Sequence, residues 1–139
     1  MIFESSEAIK AYLKQHHDFG ECILQDIRWR HFGTVIDLVF DYIWTDAGAV
    51  RPEYKPPTLK TISLHGVQEL HVHNALNEYM SLHPDELDWG LSEVSSVRLI
   101  DDELLLAPYS TLPLPLHHLR LNWEDERRIE AVFGTMEVE

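Results

Sequence analysis

The stretch that decides the fold is Cys22–Trp44, which reads CILQDIRWRHFGTVIDLVFDYIW. Two of its segments, Cys22–His31 and Thr34–Trp44, alternate between apolar and polar residues, and Phe32-Gly33 lies between them. Alternation places every second side chain on the same face of a strand, so one face of each segment can be buried. Two such segments around a short turn predict an antiparallel β-hairpin.

The register of this hairpin follows from its turn. If Phe32-Gly33 is a two-residue turn, residues equally distant from it face each other across the two strands. Three pairs then agree with one register: Trp29 with Ile36, Ile27 with Leu38, and Arg28 with Asp37. The first two pairs join apolar residues and the third joins opposite charges, so cross-strand contacts favour the hairpin.

The rest of the chain predicts one helix and several more short strands. Ser5–His17 has apolar residues at helical spacing, and Ser5 or Ser6 can cap its first turn. Thr58–His73 alternates again, either as one long strand or as two strands that turn near Gly66, and its length favours two. Further strands are predicted at Glu93–Ile100, Glu103–Ala107, His118–Trp123 and Ile129–Glu137.

This order of elements indicates the fold class. Short strands at roughly ten-residue spacing, without regular alternation of strand and helix, are typical of antiparallel β proteins. We therefore expect a mainly β (α+β) chain, an antiparallel β-sandwich or half-open barrel with an N-terminal helix. The length of 139 residues is that of a single domain, residues 1–139.

The composition weighs against several classes of function. Asp and Glu number 24 against 11 Lys and Arg, for a formal charge of −13. A field of that sign repels phosphate backbones, so no nucleic-acid partner is expected. Cys22 is the single cysteine, which predicts a half-buried packing role and no internal disulfide. The N-terminus lacks the basic and apolar regions of a signal peptide, and no stretch reaches the ~20 apolar residues of a membrane span, so a cytoplasmic protein without membrane contact is expected.

Aromatic residues suggest a place for a partner. Trp29, Trp44 and Trp123 are expected to pack inside the fold. Trp89 instead lies in an irregular acidic stretch, beside Asp85, Glu86 and Asp88. An exposed tryptophan with an acidic rim is a candidate anchor for a basic protein partner.

Nine histidines raise the alternative of a metal site. His71 and His73 alternate on a predicted strand, so both imidazoles point to one face and can share one ion. If Leu70 and Val72 face the core, however, the same two histidines face solvent, and a polar outer strand face requires no function.

These histidines resemble the two motifs of the cupin family. In the first motif a glycine precedes His-x-His and a glutamate follows, as do Gly66, His71, His73 and Glu78 here. The second motif is matched by Pro113, His118 and Asn122. The resemblance implies one divalent transition metal, oxygenase or isomerase activity, and the ligands His71, His73, Glu78 and His118. Without it, no cofactor is expected.

A second resemblance covers residues 17–105. Small, acidic, β-rich immunity proteins of bacterial polymorphic toxin systems have a His-Asp pair near the start, then an amphipathic hairpin, then a strand with an apolar-Gly-Val signature. The matching residues are His17-Asp18, Ile27-x-Trp29, Ile36-x-Leu38-x-Phe40, and Ile62-x-Leu64-x-Gly66-Val67 with Leu70. The resemblance implies that the chain binds and blocks a toxin, often a basic one, and the charge of −13 suits electrostatic steering towards such a partner.

The predicted function is that of a non-enzymatic acidic binding protein, with an immunity-type inhibitor as its specific form. The predicted docking surface is Tyr79–Glu93. No Gly-x-Ser-x-Gly elbow, phosphate loop or dinucleotide fingerprint argues for an enzyme. The cupin-like metal enzyme remains the alternative, and it requires His71 and His73 to point inwards. A homo-oligomer that pairs the Leu104-Leu105-Leu106 edge of two chains is a further alternative.

Overall fold

Two antiparallel sheets form the fold. The computed structural model of the chain describes residues 1–45, 47–52, 55–76, 78–83, 93–100, 103–123 and 127–139. Its strands are β1 Ile2–Phe3, β2 Ile23–Arg30, β3 Val35–Asp41, β4 Leu59–His65, β5 Glu69–His73, β6 Val94–Leu99, β7 His117–Trp123, β8 Arg128–Phe133 and β9 Thr135–Val138. Its helices are α1 Ser6–Gln15, α2 Glu78–Leu82 and α3 Glu103–Leu106. The first sheet has the order β1-β9-β4-β3-β2 and the second the order β5-β8-β7-β6, which confirms the predicted mainly β sandwich.

The two sheets are linked at one corner without closing into a barrel. Ile23 at the start of β2 forms an isolated bridge with Glu93, next to β6, and the Val94 amide donates to the Cys22 carbonyl at 2.7 Å. Side chains from both sheets meet in a single core, which includes Phe40, Leu121 and Phe133. Cys22 has the predicted packing role but is fully buried rather than half-buried, and burial raises the pKa of its thiol to about 11.

The chain changes sheet at two glycines. Gly66 separates β4 from β5 with a φ of +67°, which confirms two strands within Thr58–His73. Gly134 separates β8 from β9, so the predicted single strand Ile129–Glu137 is wrong and its two halves belong to different sheets. The Gly134 amide donates to the His65 carbonyl at 2.9 Å, which holds the two crossing points together.

The β2–β3 hairpin has the predicted register. Its pairs include Trp29 with Ile36, Ile27 with Leu38, and Arg28 with Asp37. The connection is longer than predicted, since Arg30 pairs with Val35 and four residues, His31–Thr34, form the turn. The charge partner also differs from the opposite neighbour, because Arg30 rather than Arg28 binds the Asp37 carboxylate, at 2.7 Å.

The N-terminal helix is confirmed, with shorter bounds. The Ser5 hydroxyl accepts a hydrogen bond from the Ala8 amide at 3.1 Å and so caps the first turn of α1. Ile9 and Leu13 lie one turn apart on the same face and are fully or almost fully buried. They anchor α1 against β6 and the 3-10 turn His17–Phe19 that follows the helix.

The predicted strand Glu103–Ala107 is wrong. This segment forms α3 and a 3-10 turn, Ala107–Tyr109. Three consecutive leucines do not alternate, and a helix can place neighbouring apolar residues against a surface where a strand would expose one of them. Leu104-Leu105-Leu106 is therefore no strand edge that a second chain could extend. Within the described ranges, no helix has the length and hydropathy to cross a membrane.

Candidate functional site

The predicted docking surface Tyr79–Glu93 lies largely beyond what the structure describes. Its central residues, Asp85, Glu86, Asp88 and Trp89, are outside the described residues. At its first end Tyr79 is exposed on α2, and its ring lies 4.4 Å from the ring of His83. A docking role for this surface remains a prediction.

The four residues of the metal alternative occupy different places. His71 and His73 are exposed on β5, an edge strand of the second sheet, and Glu78 is exposed on α2. His118 is buried on β7, and β8 lies between β7 and β5. Among the described residues, no group of three or more His, Cys, Asp or Glu side chains is arranged to hold a metal ion.

His118 belongs instead to a charged cluster on the outer face of the second sheet. Its Nε2 donates to the Glu130 carboxylate at 3.1 Å, and the Arg120 guanidinium binds the same oxygen at 2.7 Å. Burial alone would raise the pKa of Glu130, but the hydrogen bond and charge of Arg120, together with His118 and Arg128, outweigh it and lower that pKa. The cluster thus helps to hold β7 and β8 together in their antiparallel pairing.

Glu69 fastens the segment after α3 to the same face. The Tyr109 hydroxyl donates to one carboxylate oxygen of Glu69 at 2.5 Å, and the other oxygen lies 3.0 Å from His71 Nε2. These two hydrogen bonds lower the pKa of Glu69, with that of Tyr109 the larger influence. His71 therefore has a structural partner on the solvent side of its strand.

The largest exposed aromatic surface of the described hairpins is at the end of β2–β3, which we call the hairpin tip (residues 29–34). Phe32 is exposed to 109% of its reference area and Trp29 to 62%. Trp29 was predicted to pack inside the fold, and this prediction is wrong. Its position opposite Ile36 is as expected, but β2 is the edge strand of its sheet, and Trp29 is exposed there although Ile36 on the inner strand β3 is fully buried.

Hydrogen bonds and a glycine fix the backbone of the turn beside Trp29. The Thr34 amide and hydroxyl both donate to the His31 carbonyl, at 3.2 and 2.8 Å. Gly33 has a φ of +87°, and a Cβ atom there would lie 3.2 Å from the Trp29 ring. Glycine meets both constraints without strain, and the Trp29 indole lies against the turn at this residue.

The base of the tip is held by buried charge. Arg30 binds both oxygens of the Asp37 carboxylate, at 2.7 and 2.9 Å, and the Ser63 hydroxyl donates to the same group at 2.7 Å. Arg30 is the main reason that the pKa of Asp37 is lowered. The three residues come from β2, β3 and β4, so they tie the hairpin to the middle of its sheet.

The sequence signal for this exposed tip is the turn dipeptide Phe32-Gly33. Hairpin turns favour asparagine, aspartate and glycine, because these residues tolerate positive φ. The turn here has a phenylalanine before its glycine, which costs conformational energy without contributing to the core. Comparison of the chain with protein-family models, with curated proteins and with solved structures finds no match, so no family is assigned to it.

Proposed function

We propose that this chain is a non-enzymatic binding protein of the immunity type, which docks on a basic protein and blocks it. The observation that carries the proposal is the hairpin tip, where Trp29 and Phe32 are both exposed and the Trp29 ring lies against Gly33 of the turn. Aromatic residues dominate the binding energy of protein interfaces, and a ring that already has a fixed neighbour loses less conformational entropy on binding.

Phe32 is difficult to explain as part of the fold. Its φ of +58° lies in the left-handed region, where a side chain with a Cβ atom is strained by roughly 1–2 kcal/mol. Its ring is fully exposed and so gains no burial energy from folding. A residue that is both strained and exposed is typical of a functional position, and protein recognition is the role that an exposed phenylalanine fits best.

The strand beside the tip offers main-chain partners as well. β2 is the outer strand of its sheet, and its bridge to Glu93 involves only Ile23 at its start. From residue 25 to residue 30 the described part of the chain places no strand on that side. A partner can therefore add a strand along β2 while its apolar residues contact Trp29 and Phe32.

The charge of the chain favours a basic partner. The arginines on β2 are already paired with aspartates, Arg28 with Asp26 and Arg30 with Asp37, so the tip has no strong positive charge of its own. At longer range the formal charge of −13 sets the field, which attracts basic proteins and accelerates their encounter with the chain.

Site-specific photocrosslinking in the host cell tests this proposal. A photoreactive residue replaces Phe32 in one variant and Val72 in a matched control, because Val72 is also exposed on a sheet-edge strand but far from the tip in the chain. We expect the variant at position 32 to capture one basic protein, identified by mass spectrometry, and capture to decrease at high salt. Equal capture from both positions, or capture of an acidic protein at position 32, would contradict the proposal.

A further inference from the structure

A cleft of about 610 Å³ lies at the other end of β3 from the hairpin tip. One wall is the end of α1 with the residues that follow it, including His16 and His17. The other wall is the segment after β3, with Tyr42 and Trp44, and the beginning of β4. Its volume is within the range of small-molecule sites.

The described lining residues of this cleft have the opposite charge to the chain as a whole. Acidic residues outnumber Lys and Arg by 24 to 11 in the sequence, yet the described lining residues include no Asp or Glu. They do include three of those 11 cations, namely Arg51, Lys55 and Lys60. Such a reversal in so acidic a chain is unlike a randomly solvated surface and favours an anionic ligand.

The three cations are not equivalent. Arg51 is fixed by two hydrogen bonds to the neighbouring Asp41 carboxylate, at 2.6 and 3.2 Å, so that pair carries no net charge. The Lys60 ammonium lies 5.0 Å from the centre of the Tyr42 ring, a cation–π contact that leaves its N–H groups available. Lys55 is exposed. Among the described lining residues, the positive charge that no carboxylate balances therefore belongs to Lys55 and Lys60.

Aromatic rings also line the cleft. The Trp44 indole N–H donates to the Gly20 carbonyl at 2.9 Å, and the His17 ring stacks on the indole with 4.4 Å between ring centres. Both contacts fix the orientation of Trp44, which is half-buried at the cleft wall. Trp44, held in one orientation, lines the same cleft as Lys55 and Lys60. This combination matches a ligand that joins a planar ring to an anionic group.

We propose that this cleft binds a small planar aromatic anion, with Lys55 and Lys60 at the anionic group and Trp44 beside the ring. The proposal is independent of the protein-binding function, since it concerns the opposite end of β3. A phosphate or a carboxylate supplies the same charge, so both sources are included in the test.

Isothermal titration calorimetry of the full chain tests the proposal with four probes. AMP joins a ring to a phosphate and 4-hydroxybenzoate joins a ring to a carboxylate, whereas adenosine lacks the anion and ribose 5-phosphate lacks the ring. We expect AMP or 4-hydroxybenzoate to bind at least about tenfold more tightly than both incomplete probes. The tighter of the two complete probes distinguishes a phosphate ligand from a carboxylate ligand.

Three lysine variants locate the binding site. Lys60→Ala and Lys55→Ala are each expected to weaken binding of the preferred probe by about tenfold. Lys14→Ala is the matched control, because Lys14 is an exposed lysine on α1 that does not line the cleft, and it should change binding by less than about twofold. Equal losses in all three variants, adenosine binding as well as AMP, or no heat with either complete probe at about 5 mM would overturn the proposal.

Discussion

The hairpin tip and the cleft, which lie at opposite ends of β3, differ in how their aromatic residues are packed. At the hairpin tip, the side chains of Trp29 and Phe32 are exposed to solvent. At the cleft end, Tyr42 is buried against Phe19, with ring centres 5.4 Å apart, and Trp44 is held by its hydrogen bond to Gly20. The hairpin tip thus presents its aromatic residues to solvent, whereas beyond the other end of β3 Tyr42 is packed into the fold and Trp44 is fixed at the wall of the cleft.

Truncating one aromatic residue at each end gives the largest expected difference. Tyr42→Ala should lower the free energy of unfolding by about 3 kcal/mol, because it leaves a cavity in a packed aromatic cluster. Trp29→Ala should lower it by less than about 1 kcal/mol, since most of the indole is already in water. Urea unfolding of both variants measures the difference. Similar decreases in the free energy of unfolding would show that Tyr42 and Trp29 contribute equally to stability.

Removing the charge that holds the hairpin tip should have a smaller effect. Asp37→Ala is expected to cost about 2 kcal/mol, because it leaves Arg30 and the buried Ser63 hydroxyl without their acceptor. The matched change Asp26→Ala removes an exposed partner of Arg28 and should cost less than about 0.5 kcal/mol. Equal unfolding free energies for the two variants would show that the buried cluster does not hold the tip.

Asp37 and two carboxylates of the second sheet, Glu69 and Glu130, predict how stability depends on pH. Folding lowers the pKa of Asp37, Glu69 and Glu130, so each carboxylate stabilises the fold above its ordinary pKa in the unfolded chain. That stabilisation is lost as the pH falls through the lowered values in the folded state. We expect the unfolding free energy to decrease on acidification below about pH 4.5, and to decrease less in Asp37→Ala. Identical pH profiles for the wild type and this variant would show that the Asp37 carboxylate does not contribute to the pH dependence of stability.

Phe32→Gly should have a small effect on stability, and of the opposite sign. Glycine adopts a positive φ without strain, and the lost ring was not buried, so the variant is expected to be more stable by about 0.5–1 kcal/mol. Phe32→Ala is the control, because it removes the ring and keeps the strained Cβ atom. A Phe32→Gly variant less stable than Phe32→Ala would mean that the turn is not strained.

The sequence predicted the β2–β3 hairpin well because local and cross-strand patterns agreed there. Alternation and opposite charge pointed to the register of Ile27 with Leu38 and Arg28 with Asp37, and the structure has that register. The Ser5 cap and the turn at Gly66 are also local features, and each depends on the preference of one residue type. Where one residue determines a local conformation, the sequence is sufficient.

Features that depend on distant parts of the chain could not be predicted in this way. Trp29 has the alternation of a core residue, but its exposure depends on the position of β2 at the edge of its sheet. The division of residues 129–137 between two sheets depends on the contact of Gly134 with His65. The cleft brings together residues from position 15 to position 60, so no short motif marks it.

The affinity of the captured partner for the wild-type chain and for Phe32→Gly tests the central claim most directly. The account predicts that this variant folds at least as stably as the wild type yet binds about 30-fold more weakly, because a central aromatic contact of an interface contributes about 2 kcal/mol. Weaker binding together with higher stability would show that Phe32 contributes to recognition and not to folding. Unchanged affinity in the folded variant would contradict the claim that the hairpin tip is the docking surface.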